Sequence, residues 1–585
     1  MSEALSTNPA LVAWVNTIAQ HVLPEHIHWC DGTKLERAEI TQSMLSAGQL
    51  IELEPTAHLR AFLHRTDPRD ADATEQLSFV STRKRVDAGP SNRWMSTDEA
   101  QSIVWPLFRG AMRGRTLYVV PYLLGPPSSR FCRAAVQITD SPYIALSLGT
   151  MTRAGRVALD ALEGTLDFAR GVHCAGDLSP ERRFVVHFPD TADAWSIGSA
   201  NFDRAFLSSG SQGLLLASAR AREEGWLAER MSIFAITNPE GRTHYVAAAI
   251  ADGSAGRELE LAEPVLSGWR VQRLSGDVSW MRPGDDGQLW AVNPECGLSD
   301  RITNLSAAQA KQLFGPSSKE LILTNIALRA GRRAWWQELG PLHADEFVED
   351  WRGEAWLPGL ARAPAAHPDA RFILAPRSST GTAARVHTPQ GVPISGVIFC
   401  GRQARSSPLV CEARSWRQGV YLGATLNRET DGTERAVYDP MAMFGSCGYN
   451  MGDYFAHWLS IGRKLTSPPK VFHANWFRSD GQGRRLWPGG NENVRVFKWM
   501  FERMDGTAFA QATAVGLVPD LESLDLQGID VPPDRLVQLF SGNQAALLRQ
   551  AERSISFLGI FGDCLPSALL AEHRSYVRRL QESLH

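Results

Sequence analysis

A mixed α/β protein of two domains is what this sequence predicts, on three observations. Its 585 residues exceed what one compact core holds. From about residue 232 onward, short apolar runs alternate with Gly- and Asn-rich turns, the pattern of many short strands. Helical periodicity is confined to a few segments with strand-like runs between them, so a simple doubly wound repeat is not expected.

The elements follow in order. Residues 8–23 place apolar side chains at helical spacing, and Pro24 closes them. RTLYVVP (115–121) is β-branched and aromatic and reads as a buried strand, as do residues 185–188 and 233–236. Residues 213–231, rich in Ala, Leu and Glu, read as a helix. Further strands are expected at 245–250, 269–274, 321–326, 396–400 and 419–423, and residues 533–584 are helical by period. No internal repeat or long low-complexity stretch occurs. The main boundary is placed near residues 225–235, dividing 1–228 from 229–585.

Composition excludes several function classes. Apolar residues make up 44% and charged residues 21%, ordinary globular usage that rules out a mostly disordered or fibrous chain. Sixty basic against 63 acidic side chains leave a net charge of -3, without the basic footprint of a nucleic-acid binder. No run of about 18 apolar residues could span a membrane. The amino terminus lacks the basic and apolar regions of a signal peptide, so a cytoplasmic location is expected. Eight scattered cysteines without a CxxC pair suit reduced thiols better than a disulfide frame or zinc cage. His26 and His28 flank one apolar residue, a spacing that can seat a metal, although packing is the commoner role. The eighteen tryptophans are scattered and suit a core rather than a stacking platform.

Several segments are too specific to be composition. They are HIHWCDG (26–32), TDPRD (66–70), RWMS (93–96), GRTLYVVP (114–121), TDSPY (139–143), EEGWLAE (223–229) and ITNPEG (236–241). Then come HPDARF (367–372), GVPISGVIFCGR (391–402), NWFR (475–478) and LWPGGNEN (486–493). In this order and spacing they resemble the GTP-dependent phosphoenolpyruvate carboxykinases, from about residue 20 to the carboxyl end. The resemblance implies a two-domain α/β fold with mixed sheets and an interdomain cleft. A substrate domain (1–228) would precede a nucleotide domain (229–585). The implied reaction interconverts oxaloacetate plus GTP with phosphoenolpyruvate, carbon dioxide and GDP, assisted by manganese and magnesium.

Carried over residue by residue, the resemblance finds changed positions. The family's phosphate loop, of the form PSACGKTN, becomes ADGSAGRE here, within residues 250–258. Its lysine position is Gly256, its threonine position is Arg257, and Asp252 and Glu258 add negative charge. Arg257 can restore the lysine's charge but not the threonine's metal contact. Of the family's manganese ligands, the lysine falls at Gly210, the histidine at Arg230, and only the aspartate persists, as Asp277; the neighbouring acidic position is Gly276. Arg230 and Asp277 are therefore expected to form an ion pair in the metal's place. The arginine after TDPRD that binds the substrate carboxylate is Ala73, and the substrate-facing tyrosine is Asn201, with Arg204 nearby. Arg371 and Arg402 stand where the family has its phosphoryl- and substrate-facing arginines, and Asp369 replaces an asparagine. Phe477 and Asn493 match residues that hold guanine, while Arg485 and Gly490 occupy two further aromatic positions. The lid region, 423–440, is short and lacks the family's AEHKGK-like stretch.

Three readings follow. The first is a repurposed enzyme acting on a small carboxylate or phosphate-bearing anion through Arg371, Arg402, Asp277 and Arg230. It would run carboxy-lyase or enolate chemistry, with no confident cofactor and no metal. The second is a non-catalytic pseudoenzyme that serves as a binding or regulatory protein. The third is an ordinary GTP-dependent carboxykinase. The first reading is preferred and makes the chain a lyase outside the standard GTP-dependent class; a monomer is expected, with no nucleic-acid or membrane partner.

Overall fold

The computed structural model describes the chain except residues 1–3, 55–59, 71–77, 201–209, 251–263, 315–319, 344–345, 361, 376–380, 404–405, 430–435, 481 and 584–585. Two compact units result, each assembled from separate stretches of chain. One comprises residues 1–85, 93–216 and 294–389; the other comprises 86–92, 217–293 and 390–585. The fold is mixed α/β, with several mixed sheets.

In the first unit, a nine-stranded sheet runs in the order His26–Trp29, Thr116–Leu124, Arg133–Thr139, Ala169–Cys174, Asp193–Ile197, Phe184–Phe188, Ser78–Ser81 and Trp94–Met95. Arg153–Ala154 pairs alongside Thr116–Leu124. The first helix, Pro9–Val22, begins where Asn8 accepts the amides of Ala10 and Leu11. It packs Leu11, Val15, Ile18 and Val22 into the core under this sheet. A second sheet joins distant stretches of chain: Glu320–Thr324 pairs in parallel with Arg60–His64 and antiparallel with Arg371–Leu374.

The second unit is built on an eleven-stranded sheet. Its centre is three adjacent parallel strands, Thr243–Ile250, Val392–Cys400 and Lys470–Ala474. They read as near-continuous apolar runs because both faces are covered. Phe234, Val246, Ile398, Phe472 and Trp499 belong to one buried cluster there.

Two sequence expectations are corrected. The helix expected over 213–231 spans Gly210–Glu224 instead, and Leu227–Glu229 is a strand pairing with Ser279–Pro283. Gly225, at φ +76°, takes the left-handed conformation that stops the helix, and Trp226 then turns into the core. The strand expected at 419–423 is part of a helix, Trp416–Ala424, capped by Ser415. Its glycines are there for close packing: a Cβ on Gly419 would lie 2.6 Å from Val471 Cβ.

Candidate active site

The carboxyl ends of the three central parallel strands meet at one edge of the second unit. Ile250 pairs with Cys400, and Cys400 with Ala474. Immediately beyond these ends come Arg402 and Phe477, while residues 251–258, which follow Ile250, lie outside the described residues. Ligands of open α/β sheets bind at this kind of edge, where loops leave neighbouring parallel strands. Both Arg402 and Arg485 hold a guanidinium against the Phe477 ring, 5.3 and 4.6 Å from its centroid. This apolar ring carrying two planar cations suits an aromatic or anionic ligand. Asn493 is fully buried, and its Oδ1 accepts the Trp487 indole N–H at 2.6 Å. That bond commits its amide oxygen to the scaffold.

The same edge carries Arg230, because the next residue, Met231, pairs with Ala249. Arg230 Nε lies 3.8 Å from Asp277 Oδ2, with the two side chains 41% and 45% exposed. A pair this wet and this long contributes at most about 1 kcal/mol. Asp439 is also close: burial pushes its carboxyl up to about 6, while Arg230 and Arg428 pull it back. Manganese, which the resemblance implies, does not suit this set. A guanidinium has no lone pair to give, and Asp277 is already turned toward it. The described residues here do not form a transition-metal donor set.

Behind Arg230, Glu229 is fully buried. Its carboxylate accepts the Tyr454 hydroxyl at 2.5 Å and the Trp458 indole N–H at 2.9 Å. Burial pushes its acid up to about 8, more than these two donors pull it down. The EEGWLAE motif marks this residue, but nothing in the string reveals that it is buried.

The first unit holds a cleft of about 680 Å³ onto which three of the quoted motifs open. Thr66 and Asp67 come from TDPRD, Arg115 from GRTLYVVP, and Asp140 and Tyr143 from TDSPY, with Ala200 beside them. Asp70 Oδ2 accepts the Ala200 amide at 2.6 Å, and buried Arg183 lies 3.5 Å from Asp70, so one buried carboxylate ties TDPRD to two distant stretches of chain. Arg115 Nη1 donates to the buried Asp140 at 2.7 Å, and its Nη2 donates to the Gly176 carbonyl. Arg115 and Asp140 line this cleft without standing out as candidates in the sequence, although both lie within the quoted GRTLYVVP and TDSPY.

Arg371 opens the strand Arg371–Leu374 in this unit. Its Nη2 lies 3.5 Å from Asp369 Oδ1, which also accepts Arg301 Nε at 2.6 Å. Burial pushes the Asp369 acid up, but Arg371 and Arg301 outweigh it and leave it below the usual carboxylate range. The structure thus groups Arg371 with Asp369, and separately Arg402 with Phe477 and Arg230 with Asp277. Asn201, Arg204 and Arg257 lie outside the described residues, as do Ala73 and the lid tip at 430–435. No helix among the described residues is long and apolar enough to cross a membrane.

Comparison with known proteins is consistent with this geometry along the whole chain. The family model for the phosphoenolpyruvate carboxykinase N-terminal domain matches residues 13–222, and that for the phosphoenolpyruvate carboxykinase C-terminal P-loop domain matches 226–579. A "Phosphoenolpyruvate carboxykinase [GTP]" of Anaeromyxobacter dehalogenans (strain 2CP-C) is 38% identical, with 98% of each chain covered. Those of Chlamydia caviae and Chlamydia muridarum are 37% and 35% identical, with 96% and 97% of each chain covered. These matches overturn the expectation of a lyase outside the standard GTP-dependent class: these relatives, which align over nearly their full length, carry the GTP-dependent name. Nor do they support a non-catalytic pseudoenzyme. With both domain models matched and relatives above 30% identity across nearly its full length, the chain belongs to the phosphoenolpyruvate carboxykinase family.

Proposed function

We propose that this chain is a GTP-dependent carboxykinase acting on a small anionic carboxylate, with oxaloacetate and phosphoenolpyruvate as the first candidates. The observation that carries the proposal is the 38% identity over 98% of the chain to a protein of that name. In the proposed reaction the C–C bond to the departing carboxyl group breaks and carbon dioxide leaves. The enolate oxygen then takes the γ-phosphoryl group of GTP, and GDP departs. Arg371 and Arg402 are assigned to the anionic substrate, since a guanidinium fork matches carboxylate and phosphoryl oxygens and stabilises charge as it develops. Arg257 supplies the one cation of residues 251–258, and Phe477, backed by Arg485, is assigned to the base. Residues 1–228 are assigned mainly to the substrate and 229–585 mainly to the nucleotide, with Arg371 and Arg402 the second stretch's contribution to the substrate. No step is routed through a metal, because the residues around Asp277 do not fit one.

Calorimetric titration with GTP, oxaloacetate and phosphoenolpyruvate, followed by an assay for GTP-dependent phosphoenolpyruvate formation, tests the proposal. Saturable binding of GTP and of one acid is expected, with the acid weakened roughly tenfold or more by Arg371→Ala or Arg402→Ala. Pyruvate released from oxaloacetate without any need for GTP would replace the proposal with simple decarboxylation. Unchanged acid binding in both variants would remove these arginines from the site.

A further inference from the structure

The segment HIHWCDG folds into a cluster that the carboxykinase reaction does not use. His28 lies on the edge strand His26–Trp29, paired with Thr116–Leu124, and Cys30 follows directly. Glu36 sits in the first turn of the helix Lys34–Ser46, which Thr33 caps. The chain reverses between strand and helix at Gly32, at φ +74°, where a Cβ would stand 2.5 Å from the Ala154 carbonyl oxygen. This reversal returns the Glu36 carboxylate over the strand end. There it accepts the Asp31 and Gly32 amides at 3.0 and 2.8 Å and meets His28 Nε2 at 2.7 Å. One donor atom from each of His28, Cys30 and Glu36 lies within 4.8 Å of the other two.

We propose that His28, Cys30 and Glu36 form a binding site for a thiophilic divalent cation of the zinc class, separate from the carboxykinase site. One imidazole nitrogen, one thiolate and one carboxylate oxygen are the donor types such an ion selects, and three protein ligands leave a fourth position open. Ligands bound at 2.0–2.3 Å around a tetrahedral centre stand roughly 3.3–3.8 Å apart. Closing the cluster therefore needs side-chain shifts of about 1 Å, with the His28–Glu36 contact opening to admit the ion. The ion has a way in, because the His28 side chain is 41% exposed, while Cys30 and Glu36 are buried. The two backbone amides hold the carboxylate in place, as supporting hydrogen bonds do for metal ligands in general. Binding turns the Cys30 thiol into a thiolate and releases its proton. Thiolate ligation also separates this site from one for magnesium or manganese, which favour oxygen donors.

The test is a cobalt titration of the full-length protein after chelator treatment, read by the thiolate-to-cobalt charge-transfer absorption. The expected result is a band saturating at one equivalent, bleached by zinc, absent in Cys30→Ser and weakened roughly tenfold or more in His28→Ala. The band should be unchanged in Asp277→Ala. Because Cys30 is buried and its variant can misfold, zinc protection of Cys30 from alkylation, read by mass spectrometry on the unmodified sequence, is a second measurement. No band at millimolar cobalt, together with no protection of Cys30, overturns the site. So does a band that survives Cys30→Ser in a folded protein.

Discussion

Glu229 shows how much a single side chain can set in this protein. It is fully buried, with Tyr454 and Trp458 as its hydrogen-bond donors, and its acid is raised to about 8. A carboxyl raised in the folded state costs stability once the unfolded chain ionises. The cost is nil below pH ~4.5, where both states are protonated; it grows as pH rises and levels off above about 8. On about 1.4 kcal/mol per unit, the full effect is several kcal/mol. Glu229→Gln, which cannot ionise, should flatten the fall in stability between pH 5 and 8. Thermal melts of both proteins across that range check this, and parallel profiles would refute it. The sequence displayed Glu229 inside EEGWLAE but hid its burial, where Tyr454 and Trp458 meet it from more than 220 residues away. The replacements at Gly256, Arg257 and Arg230, by contrast, were legible from the string alone. Their consequence for function was not, because the relatives that match end to end carry the GTP-dependent name.

At the scale of elements, periodicity located the buried strands and failed where glycine had two meanings. The run GVYLG at 419–423 reads as a strand bounded by glycines, yet it lies in the helix Trp416–Ala424. The glycines are spaced four apart, and a Cβ on Gly419 or Gly423 would come within 2.6 Å of Val471 or Phe399. A helix packed this closely on a sheet needs glycine at the contact, and local sequence cannot show what lies opposite. Gly149, in the helix Pro142–Met151, is the contrasting case, since a Cβ there meets nothing within 4 Å. Replacing glycine by alanine in a helix gains roughly 0.5–1 kcal/mol where space allows. Overpacking a core costs about 1–3 kcal/mol. Gly149→Ala should therefore stabilise by roughly 0.5–1 kcal/mol, whereas Gly419→Ala should destabilise by about 1–2 kcal/mol net. Urea denaturation of the two variants decides it. A neutral or stabilising Gly419→Ala would mean the helix is free to move off the sheet.

At the scale of the whole molecule, the chain completes its first unit with a stretch, 294–389, that lies more than 70 residues beyond the rest of it. The strand Arg60–His64 takes its parallel partner from Glu320–Thr324, and three of the five strands of that sheet come from residues 298–374. Leu63, Ala61 and Phe62 are buried under that arrangement. No local pattern announces such an exchange, because strand pairing at this sequence separation depends on which surfaces meet after collapse. The sequence offered one boundary near residues 225–235 and could not show that residues 294–389 pack within the first unit. A fragment of residues 1–228 lacks those three strands and leaves the Arg60–His64 edge open, with its apolar side chains unburied. It is expected to bind a hydrophobic dye, to associate, and to unfold without a sharp transition. A chain joining residues 1–216 to 294–389 through a flexible linker restores the partner strands, and closing such a loop costs only a few tenths of a kcal/mol per modest increase in length. This joined chain should unfold cooperatively in urea. Cooperative unfolding of the 1–228 fragment alone, with native-like near-ultraviolet dichroism, would show that the borrowed strands are dispensable and that the nine-stranded sheet carries the stability of the unit by itself.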